Sequence, residues 1–179
     1  SICEKIMRSS KSAKKEDNRG TIVTYLGPTG TFTEQAARRY FKDLPVNYES
    51  KGSVKDVFLT VGRRLATFGV VPVENSIEGS VNITLDLLYH SKLMIRGEII
   101  EEIRLNLIAA PNTFRKDIDV ILSHPQALAQ ARSYIEKNFV GVRLVETSST
   151  AQAVLKLGKM RNAAAVGCEL AAQRYNMKI

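Results

Sequence analysis

From Thr21 onward the chain alternates between short β-branched runs and amphipathic helical stretches, and this alternation limits the fold more than any other feature. Ile22–Leu26 is a strand-like run ended by Gly27-Pro28. Thr31 stands three residues before Glu34, the spacing of a capping box, and Ala36, Ala37, Tyr40 and Phe41 give the helix that follows an apolar stripe. A second strand over 46–49 leads to Ser53, placed to cap a helix in which Val54, Val57, Phe58, Val61 and Leu65 recur at helical spacing. Phe68–Val73 is a continuous apolar run of strand length, as expected of a strand covered on both faces. Strand, helix, strand, helix, strand in this order predicts right-handed βαβ units.

The pattern continues toward the carboxyl end. Ser80 is placed to open a helix with Val81, Leu85, Leu88 and Tyr89 on one side. Residues 93–110 read as a long extended crossover, with Gly97 at a turn or bulge. Strands follow over 120–122, 142–145 and 163–166, with helices over 125–138, from Ser149-Thr150, and over 168–175. The expected fold class is α/β: two lobes, each a mostly parallel sheet flanked by helices, with the active-site cleft between them. The expected division is lobe 1 over 21–102, lobe 2 over 103–162, and 163–179 returning toward lobe 1.

Residues 1–20 are polar and hold six basic against three acidic side chains, so they read as a linker. No apolar segment follows those charges, which excludes a secretory signal, and the acidic residues disfavour a transit peptide. Charge-free stretches such as Val120–Ala131 are too short and too polar for a bilayer span of about 20 apolar residues. Cys3 and Cys168 have no metal-type spacing and read as reduced thiols in a cytoplasmic protein. The net charge of +8 is spread thinly outside the first twenty residues, without interleaved aromatics, so no nucleic acid is expected as a partner. Two histidines make a His-rich metal centre improbable.

Ligands of such sheets bind beyond the carboxyl ends of the strands. Three junctions there are rich in amides and hydroxyls: Glu74-Asn75-Ser76 with Gly79-Ser80, Ser123-His124-Pro125-Gln126, and Thr147-Ser148-Ser149-Thr150. Ser80, Ser123, Ser149 and Thr150 serve either as helix caps or, with the helix N-termini, as anion sites. Gln126 and Gln130 share a helix face, and surface glutamines are the plain alternative. Gly27-Pro28-Thr29-Gly30-Thr31 lacks the Gly-Lys-Ser/Thr end of a phosphate loop.

Four segments, 25–34, 71–82, 123–130 and 149–151, resemble prephenate dehydratases in sequence, order and spacing. The resemblance implies a two-lobed fold like that of periplasmic binding proteins. It also implies conversion of the small-molecule substrate prephenate to phenylpyruvate in phenylalanine biosynthesis, with no metal and no cofactor. On the family pattern Glu74, Asn75, Ser123 and Gln130 are catalytic, and Thr31, Ser76, Ser80, Gln126, Ser149 and Thr150 bind substrate. Glu74 is the expected proton donor if burial raises its pKa. Residues 1–12 resemble the tail of a chorismate mutase helix, as in bifunctional members, and the full-length protein is expected to be a homo-oligomer without membrane contact. Leu105 stands where the family usually has His. The family's Thr-Arg-Phe motif would fall beyond Ile179, which makes an incomplete dehydratase or a small-anion binding module the alternative readings.

Overall fold

In the computed structural model, which describes residues 1–9, 20–75 and 79–179, the alternation becomes two separate sheets. The chain divides into one unit of residues 1–27 and 32–103 and another of residues 28–31 and 104–179.

The first unit holds strands β1 (Ile2–Ser9), β2 (Thr21–Leu26), β3 (Val46–Lys51), β4 (Phe68–Asn75), β5 (Gly79–Ser80) and β6 (Leu93–Glu101), with helices α1 (Phe32–Tyr40), α2 (Val54–Gly62) and α3 (Asn82–His90). Its strand order is β3-β2-β4-β1-β6, with β5 paired to β4. β2 runs parallel to β3 and β4, as the βαβ pattern requires. The Ser53 hydroxyl caps α2 by accepting from the Asp56 amide at 3.1 Å. Val57 and Val61 of that helix are fully buried. They lie so close to β4 that a Cβ at Gly69 would stand 2.9 Å from a methyl of each.

β1 corrects the reading of the first residues. This segment is not the end of a helix; it is a strand inserted between β4 and β6 and antiparallel to both. Ile6 packs with Val23, Tyr25, Ala36, Ala37 and Val70, while Met7 packs on the opposite side with Val57, Phe58 and Val71. The charges of Glu4, Lys5 and Arg8 conceal this strand in the sequence; Lys5 is neutralised by an ion pair with Glu98 on β6. The linker expected over 10–19 lies outside the described residues. With β1 in place the sheet is mixed rather than mostly parallel. The bulge expected near Gly97 is present: Ile6 pairs with Gly97 and Met7 with Ile95, leaving Arg96 as the extra residue.

The second unit holds β7 (Asn106–Ala109), β8 (Val120–Ser123), β9 (Arg143–Glu146) and β10 (Ala163–Gly167), with α4 (Pro125–Asn138), α5 (Thr150–Lys156) and α6 (Glu169–Arg174). Strand order is β7-β10-β8-β9; β8 is parallel to β9 and β10, and β7 is antiparallel. β10 is wholly buried, and its run of small residues lets helices approach closely. Residues 163–179 therefore do not return to the first lobe. They build the middle of the second sheet, and Lys178 closes on Ala109 through two backbone hydrogen bonds of 2.9 Å.

Candidate functional site

The hydroxyl-rich junctions of the second unit come together beyond the carboxyl ends of its strands. Ser123 ends β8, is fully buried, and donates its hydroxyl hydrogen to the Val166 carbonyl at 2.6 Å. Its own carbonyl accepts from the Thr147 amide at 2.9 Å, which ties β8 to the loop after β9. In that loop the buried Thr147 hydroxyl donates to the Ser149 carbonyl at 2.9 Å. Ser149 caps α5 by accepting from the Gln152 amide at 3.1 Å, and Thr150 is the first helical residue. The capping reading of Ser149 is thus what is seen.

Residues 28–31 belong to this same unit. The Gly30 carbonyl accepts from the Cys168 thiol at 3.1 Å, and the Tyr175 hydroxyl lies 3.2 Å from that of Thr29. Gly30 is left-handed at φ 83°, and a Cβ there would sit 3.2 Å from the Ala171 Cβ. A glycine is needed at this point for the loop carrying Thr31 to lie against α6.

Helix α4 opens with Pro125 at its first turn, where a missing N–H costs nothing. His124 precedes it without a side-chain capping bond. The Gln126 amide nitrogen is buried and meets no hydrogen-bond acceptor among the described residues. Gln130, one turn on, is exposed and lines a cavity of about 700 Å³ together with Leu105, Asn106, Phe114, Tyr134 and Lys178. Leu105 gives that cavity part of its apolar wall.

Glu74 and Asn75 end β4 in the first unit. Glu74 is exposed, so the burial on which a proton-donor role depended is missing. Ser80 does not open α3: it lies in β5, paired with Glu74, and α3 starts from Val81 and Asn82. The Glu74–Ser80 ladder accounts for the difference, because residue 80 is held in extended backbone. Ser76 lies outside the described residues.

Sequence reasoning missed a buried acidic pair in this unit. Glu4 of β1 is entirely enclosed, and loss of water pushes its carboxyl up to about 8, opposed by the Thr33 hydroxyl and reinforced by the Glu101 charge. Glu101 accepts from the Gln35 amide at 2.8 Å and pairs with Arg39 at 3.1 Å. Only the buried neighbours of β1 reveal this pair, since nothing in the segment itself marks it as a strand. Among the described residues no group of three or more His, Cys, Asp or Glu is arranged to hold a metal ion, and no helix is long and apolar enough to cross a membrane.

Residues 23–179 match the family described as prephenate dehydratase. The chain belongs to the prephenate dehydratase family. A bifunctional chorismate mutase/prephenate dehydratase from Aquifex aeolicus is 43% identical over 157 residues, covering 88% of this chain and 43% of that protein. The chain therefore spans less than half the length of that relative. The crystal structure of a prephenate dehydratase from Arthrobacter aurescens in complex with L-Phe superposes with a TM-score of 0.78 at 31% identity, over 86% of this chain and 52% of that one. A structure described as GqqA, a novel type of quorum quenching acylase, gives a TM-score of 0.79 at 25% identity, over 88% of this chain and 57% of that one. One α/β architecture thus carries more than one described activity, and membership of the prephenate dehydratase family rests on sequence.

Proposed function

We propose that this domain converts prephenate to phenylpyruvate, with loss of carbon dioxide and water. The observation that carries the reading is the family match over residues 23–179, which contains all four motifs in order. Prephenate is a dianion whose ring carboxylate and hydroxyl lie para across a cyclohexadiene. The ring C–C bond to the carboxylate breaks, its electron pair enters the ring, and the C–O bond opposite breaks as its oxygen takes a proton. The ring becomes aromatic, so the protein has to orient the dianion, favour hydroxide departure and remove water from the carboxylate.

Neutral amides and hydroxyls suit these tasks. We assign Asn75 and Gln130 to hydrogen bonding of the reacting groups, and Glu74 to a polar contact rather than to proton storage. Ser123 acts as an acceptor and as a fixed point of the strand end, because its own hydrogen is committed to Val166. Thr31, Ser76, Ser80, Gln126, Ser149 and Thr150 bind substrate; the unpartnered Gln126 amide is a donor available to a carboxylate. The whole protein is read as a cytoplasmic homo-oligomer of phenylalanine biosynthesis.

Incubating the chain with prephenate at neutral pH and following phenylpyruvate tests the reading. The expected result is formation above the uncatalysed rate, lowered at least tenfold by Asn75→Ala or Gln130→Ala. Prephenate binding without turnover would overturn it in favour of an anion-binding module.

A further inference from the structure

We propose that the groove between α2 and α3 in the first unit binds a small amphipathic anion, a carboxylate or phosphate carried on an apolar body. The groove encloses about 450 Å³, within the range of small-molecule sites. Phe58, Leu87 and Leu93 supply apolar surface, and Phe58 is 5% exposed. Lys55, Arg64, His90 and Lys92 stand around this surface, and no acidic residue lines it. Among the described residues no ion pair or hydrogen bond engages the side chains of Lys55, Arg64 or Lys92. Cations gathered on one concavity repel each other unless an anion joins them, and an apolar floor raises the strength of that pairing by excluding water.

Arg64 provides a second, independent observation. It occupies the left-handed region at φ 59° immediately past the end of α2, where the Arg64 amide donates to the Val61 carbonyl and the Leu65 amide to the Thr60 carbonyl, each at 3.0 Å. Helix ends of this kind ordinarily take Gly or Asn. The other two non-glycine residues at positive φ among those described, Asn162 and Asn176, follow that preference. An arginine here imposes backbone strain that glycine would relieve, and it places a guanidinium on the groove. Small-molecule scale and an apolar floor favour a ligand with a compact charged head over an extended polyanion.

Octyl phosphate, added to the full chain below its micelle concentration and followed by amide chemical shifts, tests this. Saturable shifts confined to residues 54–64 and 87–93 are expected, with octanol and inorganic phosphate each binding at least tenfold more weakly. Arg64→Gly discriminates a functional from a structural role: the midpoint of thermal unfolding should rise while affinity for octyl phosphate falls severalfold. R64E/K92E, folded by circular dichroism, should bind no octyl phosphate. Equal affinity for octanol, undiminished affinity in Arg64→Gly, or shifts that do not saturate would each overturn the proposal. Binding to vesicles of anionic lipid without binding of free octyl phosphate would also overturn it, in favour of a membrane surface.

Discussion

Ser123 and Val166 are joined by a 2.6 Å hydrogen bond from hydroxyl to carbonyl that continues the β8–β10 contact past the end of its ladder. Removing it with Ser123→Ala leaves a buried carbonyl without its partner, at a cost of about 1–3 kcal/mol. A chemical denaturation curve should show a lower midpoint with unchanged slope. A midpoint within error of the parent would mean that the bond does not hold the strand end.

Glu4 makes stability depend on pH in an unusual direction. Its carboxyl is pushed up to about 8 from an ordinary 4.5. The native state therefore binds more protons than the unfolded chain between these values, and stability falls as pH rises through that window. The slope contributed is at most about 1.4 kcal/mol per pH unit. Glu4→Gln, which keeps the shape without the charge, should flatten the decline and raise stability at pH 8. A parent protein equally stable at pH 5 and pH 8 would refute this origin.

Arg39 is about half exposed, whereas the Glu101 side chain it pairs with is 4% exposed. Arg39→Met strands a buried carboxylate that then keeps only the Gln35 amide among these two partners. Because water reaches the arginine, the loss should be near 1–2 kcal/mol, below the 3–5 kcal/mol typical of breaking a fully buried pair. Gln35→Leu in the same background should cost more than in the parent. Additive effects in the double-mutant cycle would show that the two donors act independently.

Gly30→Ala meets two obstacles, a left-handed backbone and the Ala171 Cβ at 3.2 Å. We expect about 1–2 kcal/mol of destabilisation. Faster exchange of the amides in 28–32 should accompany it, as the loop leaves α6. If the proposed role of Thr31 is right, KM for prephenate should rise more than kcat falls. An unchanged KM with the expected loss of stability would remove Thr31 from the binding set.

Much of the fold was legible because local signals and packing agreed. In α4 the proline at the first turn and the inward Leu128 and Ile135 point to the same boundaries. In β4 the apolar run is continuous because both faces are covered. Elsewhere a non-local partner decided. β1 carries a buried glutamate and a paired lysine, so its period is masked by charges whose partners lie some ninety residues away. α3 presents Thr84 inward, its hydroxyl donating to the Pro72 carbonyl at 2.7 Å, while Leu85 and Tyr89, which the sequence places together on one side of the helix, are exposed. A satisfied threonine competes with leucine for a buried place only when the carbonyl opposite is known. The site was legible as strand ends rich in hydroxyls. Which hydroxyls were already spent on the backbone was not.

The place of β1 also bears on how the protein is made. Residues 2–9 are synthesised before the strands on either side of them, β4 and β6, which follow roughly sixty and ninety residues later. Until then the segment has neither neighbour, and afterwards it must insert between two strands rather than add to an edge. Such long-range pairing is slow and leaves sticky strands unpaired in the meantime. Folding yield should therefore be set by the rate at which this insertion outpaces association between newly made chains.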